Sequence, residues 1–300
     1  MIHKPIPNFF IVGAPKCGTT ALAYYLGENP HVFLCFPKEP YYFATDFPHH
    51  RQVKSLNEYL RLFPESQESH IAIGEASAGY LYSREALGNI RALSPQAKAI
   101  VMLRNPIDLV YSLHSQFVYD LNEDETDFER AWRLQELRNT GQFVPVNCRT
   151  PAFLQYREVG KLGQQLQRVL QIFPREQVQV IVFDDFLRNT AGVYKETLAF
   201  LGVPDDGRQG FPVINESKYN KSLSLGRFLH YPPQTLQRAW LITKGWLGLS
   251  FAPGDRLRGL NTKEARRAPL NQEFRRELLN EFDKDIRLVE SLLGRELPWG

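Results

Sequence analysis

The sequence predicts an α/β fold of three layers, in which a central parallel β-sheet is flanked by helices. Short apolar runs alternate along the chain with longer segments of helical pattern, which is typical of parallel β-α-β units. The 300 residues are 43% hydrophobic and 23% charged, which is enough apolar surface to fill one large core. We therefore expect a single domain over residues 1–300.

Five short apolar segments are predicted to form the strands, because each is bounded by Pro, Gly or polar turn residues. They comprise residues 8–13, 31–35, 71–76, 98–103 and 178–186. A helix over residues 19–28 is expected after the first strand, since Asn29 and Pro30 would stop it. Pro106 suits a first helical position, so a second helix is expected to run from there to about Tyr119.

The rest of the chain is predicted to be mainly helical. Helices are expected around residues 131–137, 152–172, 191–201 and 270–293. Gly202 is suited to end the third of these, and apolar residues at spacings of three and four give the last one a buried face. Residues 120–129 hold six acids in ten positions and are predicted to form a solvated loop. Residues 239–262 are expected to be a lid or part of an acceptor pocket.

Composition argues against several classes of protein. Lys and Arg number 36 against 33 Asp and Glu, a net charge of +3 that is too small to indicate a nucleic-acid partner. Three cysteines are too few for a disulfide framework and favour a reducing compartment. The apolar run 9–14 is shorter than a secretory or membrane-spanning segment. We expect a cytoplasmic protein without stable membrane insertion; charge and length predict no oligomeric state.

A glycine-bounded loop, residues 13–18 (GAPKCG), lies between the first strand and the first helix. Its G-x-x-x-x-G spacing is that of a P-loop, in which backbone N–H groups and a helix N-terminus hold an oxyanion. Thr19 stands where a nucleotide hydrolase carries its Lys, and Lys16 is the cation within the loop. This P-loop-like pattern favours metal-free transfer of an anionic group, with a P-loop nucleotide kinase or hydrolase as the alternative.

A second anion site is predicted after the fourth strand. Arg104 ends that strand, and Ser112 follows eight residues later on the next helix. The planar guanidinium suits a phosphate dianion, and the serine adds a hydroxyl. Both loops would lie at the carboxyl ends of parallel strands, where α/β folds bind ligands.

Residues 15–20 (PKCGTT) resemble the 5′-phosphosulfate loop of sulfotransferases that use 3′-phosphoadenylyl sulfate (PAPS), and residues 104–112 resemble their 3′-phosphate motif. The resemblance extends from Asn8 to Trp299 and is to the bacterial and heparan-sulfate type. It implies PAPS as donor, PAP as product, no metal, and in-line transfer of a sulfuryl group to a hydroxyl or amine of a small molecule or saccharide. The cofactor contacts that it implies are Lys16, Cys17, Gly18, Thr19, Thr20, Arg104 and Ser112.

The family resemblance also indicates a general base. Glu39 lies in FPKEPYYF, where glycan-type and many bacterial members carry their catalytic Glu before aromatic residues. Lys16 is expected to stabilise charge on the leaving oxygen, and Lys38 and Tyr41 are candidate acceptor contacts. His114 is the alternative base, as in aryl-type members. It lies about 200° around the helix from Ser112, which favours an exposed or packing residue over a base.

Further assignments depend on weaker matches. In GEASAGY, Ala76 replaces the Lys of heparan-type members, which puts glycosaminoglycan specificity in doubt. Glu75 could orient Lys16, contact an amine acceptor or be a hydrogen-bonded loop acid. Lys221, Arg266 and Arg267 lie in segments that resemble nucleotide-bordering loops, although a solvated basic face is the alternative. A non-catalytic nucleotide-binding protein would be favoured if Glu39 pointed away from the loop.

Overall fold

The computed structural model describes residues 6–63, 69–214, 218–220, 262–264 and 267–299. Its strands are β1 Phe9–Gly13, β2 Val32–Leu34, β3 Ala72–Ala76, β4 Lys98–Leu103, β5 Val178–Val182, β6 Lys218–Asn220 and β7 Thr262–Glu264. Its α-helices are α1 Thr19–Gly27, α2 Leu56–Leu60, α3 Ala86–Leu93, α4 Pro106–Tyr119, α5 Phe128–Arg133, α6 Gln135–Asn139, α7 Tyr156–Gly160, α8 Leu162–Ile172, α9 Phe183–Arg188, α10 Thr190–Leu201 and α11 Gln272–Leu293. Short 3₁₀ turns occupy Ala78–Tyr80, Pro151–Leu154 and Arg175–Gln177.

The chain folds as two compact units. The larger comprises Met1–Val110, Gln155–Asn215 and Asn271–Gly300, and the smaller comprises Tyr111–Leu154 and Glu216–Leu270. The single domain over residues 1–300 stays a prediction. The lid or pocket expected at residues 239–262 lies outside the described residues. Within the described part, no helix has the length and apolar character needed to cross a membrane.

The larger unit contains the predicted parallel sheet. Its strands lie in the order β2-β3-β1-β4-β5, all parallel, and helices flank the sheet. β1 is completely buried, as expected for a central strand of such a sheet. The chain passes from β1 to one edge and returns to the other side of β1 at β4. The loops after β1 and β4 therefore meet at the switch point, where folds of this class bind ligands.

The fifth strand is shorter than predicted. Residues 178–186 were expected to be extended throughout, but β5 ends at Val182 and α9 begins at Phe183. Asp184 and Asp185 lie in the first turn of α9, where acidic side chains stabilise a helix N-terminus. The Asp184 carboxylate also accepts a hydrogen bond from the Trp299 indole at 3.0 Å. Phe183 consequently lies at the carboxyl edge of the sheet.

The prediction of a single long helix over residues 152–172 is wrong, because a 3₁₀ turn, α7 and α8 occupy this region. Asp285 of α11 accepts hydrogen bonds from Gly163 N–H at 2.7 Å and Gln164 N–H at 3.0 Å. These two amides lie in the first turn of α8, so Asp285 caps the N-terminus of a new helix. A Cβ on Gly160 would lie 2.5 Å from the Phe282 ring. The close approach of α11 thus explains both glycines and the break.

The final helix has the predicted buried face. α11 buries Phe274, Leu278, Phe282, Ile286 and Val289. Asn271 caps its N-terminus by accepting a hydrogen bond from Glu273 N–H at 2.9 Å, and Gly294 ends it in the left-handed conformation. Gly202 ends α10 in the same way, as predicted.

In the smaller unit, the acidic segment is not solvated throughout. Glu123 is buried and forms two hydrogen bonds of 2.6 Å to the guanidinium of Arg138, which is also buried. The helix predicted at 131–137 is two short helices, α5 and α6, which meet at Leu134. The sequence pattern could not show this pairing, because the acid and its arginine are 15 residues apart in different elements.

Candidate active site

The loop between β1 and α1 adopts a conformation that depends on its glycines. Gly13 has φ 152°, and a Cβ there would lie 2.5 Å from the Cβ of Leu81. Gly18 has φ 88° and immediately precedes α1. No side chain caps the α1 N-terminus, and the first N–H groups of a helix have no partner within it. This end of α1 is therefore suited to an oxyanion.

The side chains of this loop divide into buried and accessible ones. Cys17 is completely buried, and burial raises the pKa of its thiol to about 12. Thr19 is buried as well, whereas Lys16 and Thr20 are half-buried. The predicted cofactor contact of Cys17 can therefore involve only its backbone, because its thiol has no exposed surface. Lys16 has a φ of 63°, in the left-handed region.

Arg104 lies beside this loop, as the sequence predicted. Its Nη1 donates a hydrogen bond to the Lys16 carbonyl at 3.3 Å, and its guanidinium lies 4.8 Å from the centre of the Phe183 ring. The Asp108 carboxylate is 3.9 Å away and half-exposed, a pair that contributes little stability. Phe183 also lies close to the loop backbone at Gly18, since a Cβ there would lie 3.0 Å from its ring.

Phe183 was not among the predicted site residues. The signal for it is its place directly after β5, at the sheet edge where the other loops end. Its ring lies under the guanidinium of Arg104, a cation that is predicted to bind phosphate, and this cation–π contact helps to hold the side chain in place.

Glu39 follows β2 and is held at the end of β3. Its backbone N–H donates to the Ala76 carbonyl at 3.2 Å, and its φ is 63°. The carboxylate is 33% exposed and accepts a hydrogen bond from Lys38 Nζ at 2.8 Å. Lys38, predicted to contact the acceptor, thus pairs with Glu39. Phe36, three residues earlier, is 85% exposed.

Tyr41 was predicted to contact the acceptor, but the structure buries it. Its ring packs against Tyr80 and His50, with centroids at 5.9 and 5.2 Å. Burial raises the pKa of its hydroxyl well above the usual range, and the charge of Glu39 and a hydrogen bond to it add to the rise. Tyr41 therefore supports Glu39 from within the core and does not line an acceptor surface.

Glu75 is the second predicted acceptor contact that the structure buries. It lies in β3 beside Phe10 of β1 and is 0% exposed. Burial raises the pKa of its carboxyl to about 7, against the effect of nearby hydroxyls of Tyr80, Tyr59 and Ser77. Neither of its oxygens has a hydrogen bond of ordinary geometry. A completely buried carboxyl cannot meet an acceptor, so that prediction is wrong.

The smaller unit brings together two of the predicted nucleotide contacts. Arg267 Nη1 donates to the buried hydroxyl of Ser112 at 3.0 Å, and its guanidinium lies 5.6 Å from the centre of the Tyr111 ring. The Tyr111 hydroxyl donates to the Ala268 carbonyl at 2.9 Å. Lys221 and Arg266 lie outside the described residues.

His114, the alternative base, is a buried residue of the smaller unit. It is 2% exposed, and its Nε2 lies 2.9 Å from the Glu125 carbonyl. Burial lowers the pKa of its imidazole, which favours the neutral ring at pH 7. Its ring packs on Phe128. Of the exposed and packing alternatives that helical geometry predicted, the structure shows the packing one.

Comparisons with known proteins give a consistent result. A family model described as "Sulfotransferase domain" matches residues 7–222. The chain is 27% identical over 243 residues to mouse bifunctional heparan sulfate N-deacetylase/N-sulfotransferase 4, covering 76% of this chain but only 27% of that protein. It is 27% identical over 225 residues to human heparan sulfate glucosamine 3-O-sulfotransferase 6, covering 72% and 60%. The crystal structure of a sulfotransferase from Alicyclobacillus acidocaldarius is similar with a TM-score of 0.69 at 26% identity, covering 98% of each chain.

Proposed function

The chain belongs to the sulfotransferase family, and from this premise we propose that it transfers a sulfuryl group from PAPS to a hydroxyl or amine of a saccharide or small molecule. The observation that carries the proposal is the arrangement of the loop after β1. An uncapped helix N-terminus, Lys16 and Arg104 are gathered there at the switch point of the sheet.

These residues fit the charge and shape of a phosphosulfate. N–H groups at the start of α1 can bind its oxygens, and Lys16 supplies a positive charge within the same loop. Arg104 is kept beside the loop by the Lys16 carbonyl and by Phe183, with its planar face supported. In the smaller unit, the Ser112 and Arg267 pair is suited to a phosphate of the nucleotide, as the sequence resemblance implies.

The reaction requires removal of one proton from the acceptor. When bound, PAPS supplies the sulfuryl group and departs as PAP. Glu39 accepts the acceptor's proton on a carboxylate oxygen as the new bond to sulfur forms. Lys16 stabilises the negative charge left on the bridging oxygen when the old bond breaks. Lys38 Nζ lies 2.8 Å from a Glu39 carboxylate oxygen and is its ion-pair partner.

A saccharide is the better supported class of acceptor. The relatives named above carry heparan sulfate in their names, and the exposed Phe36 offers an aromatic face three residues from Glu39. Ala76 stands where the heparan type carries Lys, so we propose a saccharide less dependent on sulfate or carboxylate recognition at that position.

Calorimetry tests the donor assignment. We expect adenosine 3′,5′-bisphosphate to bind without added metal, and to bind more weakly to Arg104→Ala. Binding of ATP with Mg²⁺ but not of the bisphosphate would instead favour a P-loop kinase or hydrolase. Transfer from labelled PAPS to N-desulfated heparan oligosaccharides, neutral oligosaccharides and simple phenols then identifies the acceptor class. Bisphosphate binding without transfer to any acceptor would favour a non-catalytic nucleotide-binding protein.

A further inference from the structure

A completely buried carboxyl lies beneath the segment that carries Glu39. Glu75 is 0% exposed, and the hydroxyls of Tyr80, Tyr59 and Ser77 surround its carboxyl. All three of these residues are themselves fully buried. A carboxyl in such a place needs hydrogen-bond donors, because an unsatisfied buried polar group is unfavourable.

Two of these hydroxyls already accept hydrogen bonds from the Glu39 segment. The Phe43 N–H donates to the Tyr80 hydroxyl oxygen, and the Tyr41 N–H donates to the Ser77 Oγ, each at 3.3 Å. A hydroxyl that accepts a bond still has its own proton to donate. Glu75 is the buried acceptor beside both hydroxyls. The carboxyl thus lies beside two hydroxyls, each of which accepts a hydrogen bond from the backbone amide of residue 41 or 43.

Tyr59, which carries the third hydroxyl, contacts the same segment through its ring. Tyr59 stacks on Tyr42 with centroids 4.6 Å apart and planes 15° apart, and it packs edge-on against Phe43. Its hydroxyl is buried and has no hydrogen bond of ordinary geometry, as is true of the oxygens of Glu75. A small rotation of either side chain would pair the two groups.

The segment needs such support because its backbone is unusual. Glu39 has φ 63° and Tyr41 has φ 52°, both in the left-handed region that non-glycine residues rarely adopt. Residues in that region persist only where their surroundings hold them. Other polar contacts also hold this segment: Gln52 donates from Nε2 to the Glu39 carbonyl and from its N–H to the Pro40 carbonyl, each at 2.9 Å, and Asn89 Nδ2 donates to the Phe43 carbonyl at 2.9 Å. The amides of Tyr41 and Phe43 have the hydroxyls beside Glu75 as their partners.

We propose that Glu75 is a positioning residue, which accepts hydrogen bonds from Ser77 and Tyr80 and thereby fixes residues 39–43 in the conformation that orients the Glu39 carboxylate. The inference rests on the proposed role of Glu39 as general base. Glu75 touches neither donor nor acceptor, since it has no exposed surface. Its effect passes through the amides of Tyr41 and Phe43.

Three variants test this role. Glu75→Gln keeps the shape but replaces one acceptor oxygen by a donor, and Ser77→Ala and Tyr80→Phe each remove one link while leaving Glu75 in place. We expect each to lower kcat about tenfold, the effect of losing one hydrogen bond, with the affinity for adenosine 3′,5′-bisphosphate unchanged. Amide exchange at Tyr41 and Phe43 should become faster. The double variant Glu75→Gln/Tyr80→Phe should be no slower than the slower single variant, because both act in one chain.

Tyr194→Phe is the matched control. This completely buried tyrosine lies on α10, outside the proposed site, and its hydroxyl donates a hydrogen bond of 3.0 Å to Asp206. It should lower the melting temperature and leave kcat unchanged. Wild-type kcat in folded Glu75→Gln, Ser77→Ala and Tyr80→Phe would overturn the positioning role. If Glu75→Gln does not fold, the other two variants decide. Glu39→Gln separates the two proposals. If Glu39→Gln is active, Glu39 is not the general base. If Glu39→Gln is inactive while the Glu75 and Ser77 variants are fully active, only the positioning role of Glu75 is overturned.

Discussion

Lys16 combines two properties at the scale of a single residue: its side chain supplies a positive charge to the loop after β1, and its own carbonyl accepts a hydrogen bond from Arg104. Only the charge depends on its side chain. Lys16→Ala should therefore leave the loop and Arg104 in place and lower kcat about 100- to 1,000-fold, as does loss of a single transition-state donor elsewhere. Steady-state transfer from labelled PAPS measures this, and circular dichroism checks the fold. A Lys16→Ala enzyme with normal kcat would contradict the role.

Glu39 should behave differently from Lys16, because we propose that Glu39 acts on the acceptor and Lys16 on the donor. Glu39→Gln keeps the size and the backbone bond to Ala76 but cannot accept a proton. We expect kcat to fall about 100-fold or more, with the affinity for adenosine 3′,5′-bisphosphate unchanged by calorimetry. Glu196→Gln, an exposed change on α10, is the control and should have wild-type kcat. Equal losses of nucleotide affinity in Glu39→Gln and Lys16→Ala would contradict the division of roles.

Arg104 is expected to affect binding more than folding. Its side chain is 21% exposed and its contacts are one carbonyl, one ring and a distant carboxylate. Arg104→Ala should weaken adenosine 3′,5′-bisphosphate binding by about 10- to 100-fold, the value of a charged hydrogen bond. Arg104→Lys should recover only part, because an ammonium lacks the planar fork. A large drop in melting temperature with unchanged affinity would show a structural role.

The element scale shows how a distant residue can determine where a helix begins. Asp285 lies in α11 and caps α8 through two amides, one of them 122 residues away along the chain. Asp285→Ala should lower the free energy of unfolding by about 1–2 kcal/mol, as expected for a lost helix cap. Asp283→Ala is the control two residues away, since its pair with Arg287 is largely exposed and should contribute little. Urea unfolding of both variants makes the comparison, and equal losses would contradict the capping role.

Elements also show which parts of the structure the sequence can predict. The first four strands and the bounds of α4 follow from local pattern: apolar runs bounded by turn residues, and Pro at a first helical position. The break between α7 and α8 could not be predicted, because its cause is the approach of α11. The same distinction applies to the site. Lys16 and Arg104 follow from motif spacing, whereas the burial of Glu75 and Tyr41 depends on packing that no local pattern encodes.

At the scale of the whole larger unit, the five strands are parallel, so the residues that follow each strand lie at the same edge of the sheet. Lys16 follows β1, Glu39 follows β2, Ser77 follows β3, Arg104 follows β4 and Phe183 follows β5. The sheet thus supplies the proposed charge, base, supporting hydroxyl, phosphate contact and stacking ring from separate segments. This explains why motifs far apart in sequence predict one site, as expected for α/β folds.

The buried carboxyl of Glu75 also lowers the free energy of unfolding of the larger unit at neutral pH, and this effect can be measured. Burial raises the pKa of Glu75 from 4.5 to about 7, so between these values the folded state binds more protons than the unfolded state. Stability then falls as pH rises through this window, and the rise in pKa corresponds to about 3 kcal/mol. Glu75→Gln has no such proton. We expect it to gain stability relative to the wild type between about pH 5 and about pH 8 in urea unfolding.

The Glu196→Gln variant serves again as control in this measurement, and its stability should parallel that of the wild type across the same pH range. Parallel curves for Glu75→Gln and wild type would contradict the raised pKa. A buried acid that weakens the fold at neutral pH is poorly explained by stability alone. The same variant therefore distinguishes two reasons for the carboxyl: a gain in stability together with a loss of kcat indicates that the residue serves the site at the expense of the fold.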